Sequence, residues 1–409
     1  MKKNNTNKIM KMSKVCVFTV CNVGYLNKAL ALAESLKKYE DKNLKIFLFD
    51  KKRKLTFNTN NIEIIWIEDI APDNFFQLAF KYNVIELTTA FKPFIGKYLS
   101  NLYENVIFLD PDILLYDSLS LIHDSLEKDY FLLTPHILKV EYNPILNLTF
   151  QKFGFYNLGF FAFKSNDESI AILEWWWKQC ESYCFDEAHQ GAFTDQKWMS
   201  LGPLYFTGIK VLKNVGLNVA WWNLHEREVS INEGVFVVSN GVQKSNLIFF
   251  HFSSFGGEDL ISKKIFNAGV NKKVTLSKLS ITYSDFLNKN KVNGPLDYSY
   301  DFLENGMYIN SVLRRAYASK FADLEEVLNP FVCNVLLDQF IRLNYLKSRN
   351  TKNNSLIGHK EKDSYSFSIR IYFMILRLFL RLVGPNNFIA INRIMTYSSS
   401  LVQSKEYWK

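Results

Sequence analysis

The chain has 409 residues, 48 % apolar and 22 % charged, with nine Pro and 17 Gly, a composition that excludes disordered, collagen-like and low-complexity chains. With 35 Phe, 21 Tyr and eight Trp it can fill a large core, and its length predicts one large domain plus an appendage. Residues 340–409 hold twelve basic and three acidic residues, which equals the whole formal excess of +9, so the body is neutral and a nucleic-acid partner is not expected.

Residues 1–14 are polar and lysine-rich and read as a disordered basic tail. The run 15–20 (VCVFTV) is too short for a signal-peptide core and predicts a first strand. Leu26, Leu30, Ala33 and Leu36 recur near helical spacing, predicting a helix over 26–39. Residues 45–50 (KIFLFD) and 62–67 (IEIIWI) predict strands, 74–82 and 89–102 helices, and 105–110 (NVIFLD) another strand. This alternation predicts an α/β, Rossmann-like fold with a mostly parallel central sheet.

Further on, 130–134 and 160–164 predict strands, and 169–184 a helix carrying Trp175, Trp176 and Trp177. A short helix with Thr194 as its cap is expected over 194–200, and a buried strand over 247–251 (LIFFH). Helix is expected over 303–346 and a polar linker over 348–364. The expected division is the tail 1–14, a main domain 15–290, a helical extension 291–347, the linker, and a basic amphipathic segment 365–409.

Cys16, Cys21, Cys180, Cys184 and Cys333 show no framework spacing, so buried thiols in a reducing compartment are expected. Cys180 and Cys184 beside His189 lack the spacing of a zinc pair. No run reaches the roughly 20 apolar residues of a spanning helix, so the default location is cytoplasmic.

Ligands of open α/β sheets gather at the carboxyl ends of strands, which singles out residues 21–25 and 110–112. Asp110-Pro111-Asp112 follows the strand directly, and two carboxylates one residue apart can hold one hard cation, Mg²⁺ or Mn²⁺. The same tripeptide also fits a solvated turn favoured by proline.

In order along the chain, VFTVCNVGYLNKALALAESL, ELTTAFKPFIGKYL, NVIFLDPDILLYDSL, FYNLGFFAFKS, FTDQKWMSLGP and IFFHFSSF resemble the motifs of bacterial glycosyltransferase family 8, which has a GT-A fold. The resemblance spans roughly residues 15–255. It implies that Asn22 and Tyr25 face the nucleoside of a nucleotide-diphosphate sugar, with a UDP-sugar expected. It implies that Lys92 faces the donor sugar or phosphate, that Asn157 contacts the sugar, and that Asp195 and Gln196 sit beneath the anomeric carbon. Asp110, Asp112 and His251 would hold Mn²⁺ or Mg²⁺.

Each position has a plainer reading. Asn22 also fits a turn, Tyr25 a staple at the helix start, Lys92 a solvated lysine and Asn157 a bend. Asp195 also fits a helix cap, Gln196 an exposed helical residue and His251 a satisfied core histidine. The chain departs from the family in lacking a Lys-Pro-Trp after the late His, where it reads HFSSFGG. It also has Asn22 where an acidic residue is common. Lys263 and Lys264 are the candidates to replace that lysine.

The resemblance implies metal-dependent hexosyl transfer with retained configuration, to a glycan or lipid-linked acceptor in surface polysaccharide synthesis. Gln196 is a poor nucleophile, which favours front-face transfer. Within 369–384 (IRIYFMILRLFLRLVG), Arg370, Arg377 and Arg381 share one helical face among apolar residues. That is the pattern of an interfacial helix on an anionic membrane, which would place the enzyme at the inner face of the cell membrane. The same pattern fits a core-packed helix with snorkelling arginines. A non-catalytic membrane-associated nucleotide-sugar or glycan-binding module is the alternative, separated by whether donor binding leads to turnover. A nucleotidyltransferase would want a Gly-rich basic first loop, and CNVGYLNK has one Gly.

Overall fold

In the computed structural model, residues 13–255, 273–319, 329–332 and 367–398 are described. Most of the expected tail, the linker 348–364, Lys263, Lys264 and Cys333 lie outside the described residues. The chain divides into two units, Met1–Ala71 with Val84–Ser299, and Pro72–Asn83 with Tyr300–Lys409.

The strands are β1 (Ser13–Cys21), β2 (Leu44–Leu48), β3 (Ile62–Trp66), β4 (Tyr103–Leu109), β5 (Ile113–Leu115), β6 (Phe131–Pro135) and β7 (Tyr156–Lys164). They continue with β8 (Asp186–Glu187), β9 (Ala192–Phe193), β10 (Ile209–Val211), β11 (Glu228–Asn232), β12 (Val235–Ser239), β13 (Lys244–Asn246) and β14 (Phe249–His251). The helices up to residue 205 are α1 (Leu26–Glu40), α2 (Phe75–Lys81), α3 (Val84–Ala90), α4 (Lys92–Ser100) and α5 (Ser120–Leu126). They continue with α6 (Pro144–Phe153), α7 (Asp167–Ser182), α8 (Thr194–Met199) and α9 (Gly202–Tyr205).

The first unit is α/β. Its seven-stranded sheet runs β10-β6-β7-β4-β1-β2-β3, with every neighbouring pair parallel except those that β7 makes with β4 and β6. Strands β1 and β4 are apolar on both faces because helices cover both sides of a parallel sheet. Phe18, Phe108, Phe131, Phe161 and Phe163 stack across the sheet, and Trp176 of α7 closes edge-on over Phe161 at 5.2 Å. Trp176 is fully buried and Trp177 packs between Phe91 and Phe94, so these two indoles are core.

Three local expectations change. The single helix expected over 89–102 is two helices, α3 and α4, because Pro93 at the start of α4 has no N–H to carry the ladder across Phe91. Thr194 does not cap α8. It is the first helical residue, it has a left-handed φ of 44°, and its hydroxyl donates to Asp195 Oδ1. Residues 303–310 are not helical, since Gly306 at φ 81° and a Phe302–Tyr308 bridge form a turn, and the helix starts at Ser311.

In the second unit, buried Arg314 on the helix Ser311–Ser319 donates to the carbonyls of Ala79, Phe80 and Tyr82 at 2.7–3.0 Å. It thereby satisfies the orphan carbonyls at the end of α2. Helices Phe367–Val383 and Pro385–Ser398 meet at Gly384, whose φ of 79° makes the turn, and Phe379 faces Phe388 at 6.0 Å. No helix of the described residues is long and apolar enough to cross a membrane.

Candidate active site

The site is built at the carboxyl end of β4. The chain leaves the sheet at Asp110, turns through Pro111 and Asp112, and enters β5, which pairs antiparallel with β14 so that Ile113 stands opposite His251. Asp110 N–H donates to Gly159 O at 2.8 Å and Phe252 N–H to Asp112 O at 2.8 Å, which fixes the turn from both sides. This register places the carboxylates of Asp110 and Asp112 and the imidazole of His251 within 4.8 Å of one another.

The tautomer of His251 follows from its neighbours. Asn218 Nδ2 donates to Thr134 Oγ1 at 2.9 Å and Asn157 Oδ1 at 3.0 Å, so Asn218 Oδ1 is left to face His251 Nδ1 at 3.3 Å. An N–H at Nδ1 then turns the Nε2 lone pair toward Asp112 Oδ1 at 3.1 Å and Asp110 Oδ2 at 3.7 Å. Three electron-rich atoms converging in a buried site require either an imidazolium proton or a cation between them. Two carboxylate oxygens and an imidazole nitrogen could hold a divalent cation, and Asn218 orients the ring from its far side as metal-binding histidines need. Burial pushes the Asp112 carboxyl up, but His251 outweighs it and holds the group below the usual carboxylate range.

Gly159 makes room for this ring. A Cβ there would lie 2.4 Å from His251 Cε1 and 2.6 Å from Nδ1, so the glycine of the Asn157-Leu158-Gly159 segment is a steric requirement of the histidine.

Lys92 is buried, not solvated. Its ammonium lies 3.2 Å from Asp110 Oδ1 and 3.3 Å from Asp195 Oδ2, and donates to Leu158 O at 2.9 Å. The ammonium is thereby held by two carboxylates and one main-chain carbonyl. Burial opposes its charge, but the two carboxylates outweigh it and raise its pKa. Asp195 has its own pKa raised by burial and by the charge of Asp110, against the pull of Lys92. Its main-chain carbonyl accepts the indole N–H of Trp176 at 3.1 Å, so the core indole holds the strained Thr194–Asp195 start of α8.

Gln196 is likewise buried. Its Nε2 donates to Phe153 O at 2.8 Å and its Oε1 accepts from Leu158 N–H at 3.2 Å and from Asn157 Nδ2 at 3.4 Å, which fixes the amide. Asn157 lies between these groups, with Oδ1 accepting from Gly159 N–H at 3.0 Å and Nδ2 at 3.4 Å from both His136 Nε2 and Gln196 Oε1.

The structure therefore brings together Lys92, Asp110, Asp112, Asn157, Asp195, Gln196 and His251. Asn22 and Tyr25 stand at the carboxyl end of β1, and no described hydrogen bond or ion pair joins them to this cluster. Tyr25 is exposed, with the Lys28 ammonium 3.9 Å over its ring. Their loop is fixed by Asp50, which accepts Val23 N–H at 2.9 Å and Ser299 N–H at 2.8 Å.

Asn218, His136 and Asp50 are the site residues that sequence reading missed. Each stands alone in the sequence, and only Asn218 carries a local mark in the structure, a left-handed φ of 50° that Asn tolerates. Trp222 stands edge-on to both His251 at 5.3 Å and His136 at 5.8 Å.

No known family profile matches the chain. Over 251 residues it is 26 % identical to the uncharacterized protein YfnF of Bacillus subtilis (strain 168), covering 58 % of this chain and 80 % of that one. Over 120 residues it is 28 % identical to YfnD of the same organism, covering 29 % and 36 %. Among solved structures it is similar to the galactosyltransferase LgtC in complex with donor and acceptor sugar analogs, with 14 % identity, a TM-score of 0.38, and 68 % of this chain and 97 % of that one covered. It is also similar to mouse xyloside xylosyltransferase 1, with 12 % identity, a TM-score of 0.36, and 59 % and 98 % covered.

Proposed function

We propose that this chain is a metal-dependent retaining glycosyltransferase that moves a hexosyl group from a nucleotide-diphosphate sugar, a UDP-sugar, to a glycan or lipid-linked acceptor of surface polysaccharide synthesis. The observation that carries the reading is the convergence of Asp110, Asp112 and the Nε2 lone pair of His251, with the Lys92–Asp195 pair and Gln196 adjoining it. Mn²⁺ or Mg²⁺ held by Asp110, Asp112 and His251 would neutralise the charge that develops on the departing diphosphate.

The remaining chemistry belongs to the side chains. Lys92 holds the carboxylates of Asp110 and Asp195 in fixed positions. The locked amide of Gln196 turns the negative end of its dipole, at Oε1, toward the positive charge developing on the sugar ring. Asn157 supports both Gln196 and Gly159 and borders the sugar. Asn22 and Tyr25 face the nucleoside at the end of β1. In front-face transfer the bond from the anomeric carbon to the diphosphate breaks, the bond to the acceptor oxygen forms on the same face, and the acceptor proton passes to a diphosphate oxygen.

The helix Phe367–Val383 supports an anionic membrane surface at the inner face of the cell membrane as the place of work. Ile371, Met374, Ile375, Leu378 and Leu382 are all exposed, and at about 100° per residue they form one stripe. Arg377 and Arg381 border that stripe, while Phe379 turns to the neighbouring helix.

The test is a screen of nucleotide-sugars for Mn²⁺-dependent release of nucleotide. UDP release that is lost in Asp112→Ala is the expected result. Saturable donor binding without turnover, whatever acceptor is supplied, would overturn the enzyme reading.

A further inference from the structure

The candidate active site is short of positive charge for the leaving group assigned to it. The Lys92 ammonium is already committed to Asp110, Asp195 and the Leu158 carbonyl. Together with one divalent cation it would balance Asp110, Asp112 and Asp195 and leave nothing over. A departing diphosphate carries negative charge on both of its phosphates, so a further cation is needed beside the cluster. The segment HFSSFGG brings no lysine there, and Lys263 and Lys264 lie outside the described residues.

Helix α1 brings such a cation. It runs beside the chain that leaves the Asp110-Pro111-Asp112 turn, in the same direction, and three contacts set the register. Glu40 Oε1 accepts Leu119 N–H at 2.6 Å, Ser35 Oγ accepts Leu115 N–H at 3.1 Å, and Ala31 shares an apolar cluster with Leu114. Lys28 lies about two turns before Ser35 on the same face of α1, roughly 10 Å along the helix. Asp112 lies roughly 10 Å before Leu115 along the strand. The register therefore sets Lys28 opposite Asp112.

The charges agree with this placement. Burial raises the Asp112 carboxyl, and His251 and then Lys28 draw it down. Lys28 is half-buried, its ammonium stands 3.9 Å over the Tyr25 ring, and among the described residues it forms no ion pair with a carboxylate. Buried Tyr283 has both Asp112 and Tyr25 as electrostatic neighbours, so the two border one place.

We propose that the Lys28 ammonium binds the diphosphate of the donor, between the nucleoside at Tyr25 and the cation at Asp112. A nucleoside and its metal-bound phosphate are joined through the phosphate next to the ribose, and Lys28 stands between the residues assigned to those two ends. A lysine is a compact charge on a flexible stem, and a cation over a partly exposed ring is held weakly compared with one on a phosphate. The ammonium can therefore exchange the Tyr25 ring for a phosphate oxygen when the donor enters. This assignment rests on the transferase reading.

The experiment is calorimetric titration of the full chain in saturating Mn²⁺, for wild type, Lys28→Gln and Lys28→Arg. The probes are whichever of UDP, GDP, CDP, ADP and dTDP wild type binds most tightly, and the nucleoside of the same base. K28Q is expected to weaken the diphosphate about tenfold or more and to leave the nucleoside unchanged, because only the phosphates meet the ammonium. K28R keeps the charge and is expected to restore most of the affinity. Equal diphosphate affinity in wild type and K28Q would overturn the proposal and leave the transferase reading in place. An equal loss for the nucleoside would also overturn it, making Lys28 a support for the Tyr25 ring. A wild-type chain that binds none of the five diphosphates would remove the proposal and the transferase reading together.

Discussion

The candidate active site and the C-terminal helix pair break the usual rule of burial in opposite directions. In the first unit charged groups lie inside: Lys92 is 3 % exposed, Asp195 2 % and His251 4 %. In the second unit apolar groups lie outside: Leu382 is 75 % exposed, Met374 63 % and Leu378 58 %. Both arrangements cost free energy in the isolated chain. On the proposed reading each is completed by something the chain does not supply, a cation among buried carboxylates in one case and a low-dielectric surface in the other. The site offsets part of its cost internally, by setting the Lys92 ammonium between the Asp110 and Asp195 carboxylates. The helix pair offsets only the face turned inward.

The largest expected effect probes that internal pairing. Lys92→Met removes the one ammonium that serves Asp110 and Asp195 and leaves a buried carboxylate uncompensated, which costs about 3–5 kcal/mol. Urea unfolding is the measurement, and adding Asp195→Asn to Lys92→Met should recover part of the loss. If Lys92→Met matched wild type in stability, the ammonium would not be holding these carboxylates.

Asp112→Ala tests the chemistry rather than the fold. Loss of one ligand of the cluster is expected to lower Mn²⁺-dependent donor turnover about 10²–10³-fold, on the scale of losing one group that stabilises transition-state charge. Circular dichroism of the variant should match wild type, because the turn is held by main-chain hydrogen bonds.

These two predictions use residues that were legible in the sequence, and the contrast with those that were not is physical. The first strands and α1 were readable because periodicity and burial are local properties of the chain. Asp110 and Asp112 were readable because they follow an apolar strand one residue apart, and His251 joined them through the resemblance in motif order, whereas the antiparallel pairing of β5 with β14 that brings the three together was not readable. Asn218 and His136 were not readable, because a lone polar residue in a loop has no pattern and its role is fixed by partners 61 and 21 residues away. The break at Phe91 had a local cause in Pro93, which an apolar periodicity running through it obscured.

His136 gives the comparison a pH axis. Burial pushes its imidazole down from about 6.5 to about 4, so the folded chain keeps it neutral while the unfolded chain protonates it first. Its contribution to stability is full above about pH 6.5 and is lost as the pH falls toward 4, to a total of about 3 kcal/mol. Unfolding free energy measured at pH 7.5 and pH 5 should therefore fall more steeply in wild type than in His136→Gln. Parallel slopes would mean that the ring is solvated.

Gly159→Ala separates steric from chemical demands in the same site. The added methyl must displace the His251 ring, so Mn²⁺ affinity measured by titration is expected to fall about tenfold while the carboxylates stay in place. Unchanged affinity would show that the ring has another position from which it can bind.

The helix pair carries the smallest effect per residue and the clearest control. Each basic side chain near an anionic leaflet adds about 1 kcal/mol, so Arg377→Ser and Arg381→Ser should each weaken binding to phosphatidylserine-containing vesicles about fivefold, with the double variant losing both increments. On neutral phosphatidylcholine vesicles the same variants should match wild type, because only the apolar stripe acts there. Leu378→Asp should lose affinity for both, since it puts a carboxylate into the exposed apolar stripe. Cosedimentation at low salt distinguishes these cases. Arginine variants that bind anionic vesicles as wild type does would leave the stripe with a role other than membrane docking. The cluster of Asp110, Asp112 and His251 should bind Mn²⁺ equally in all of them.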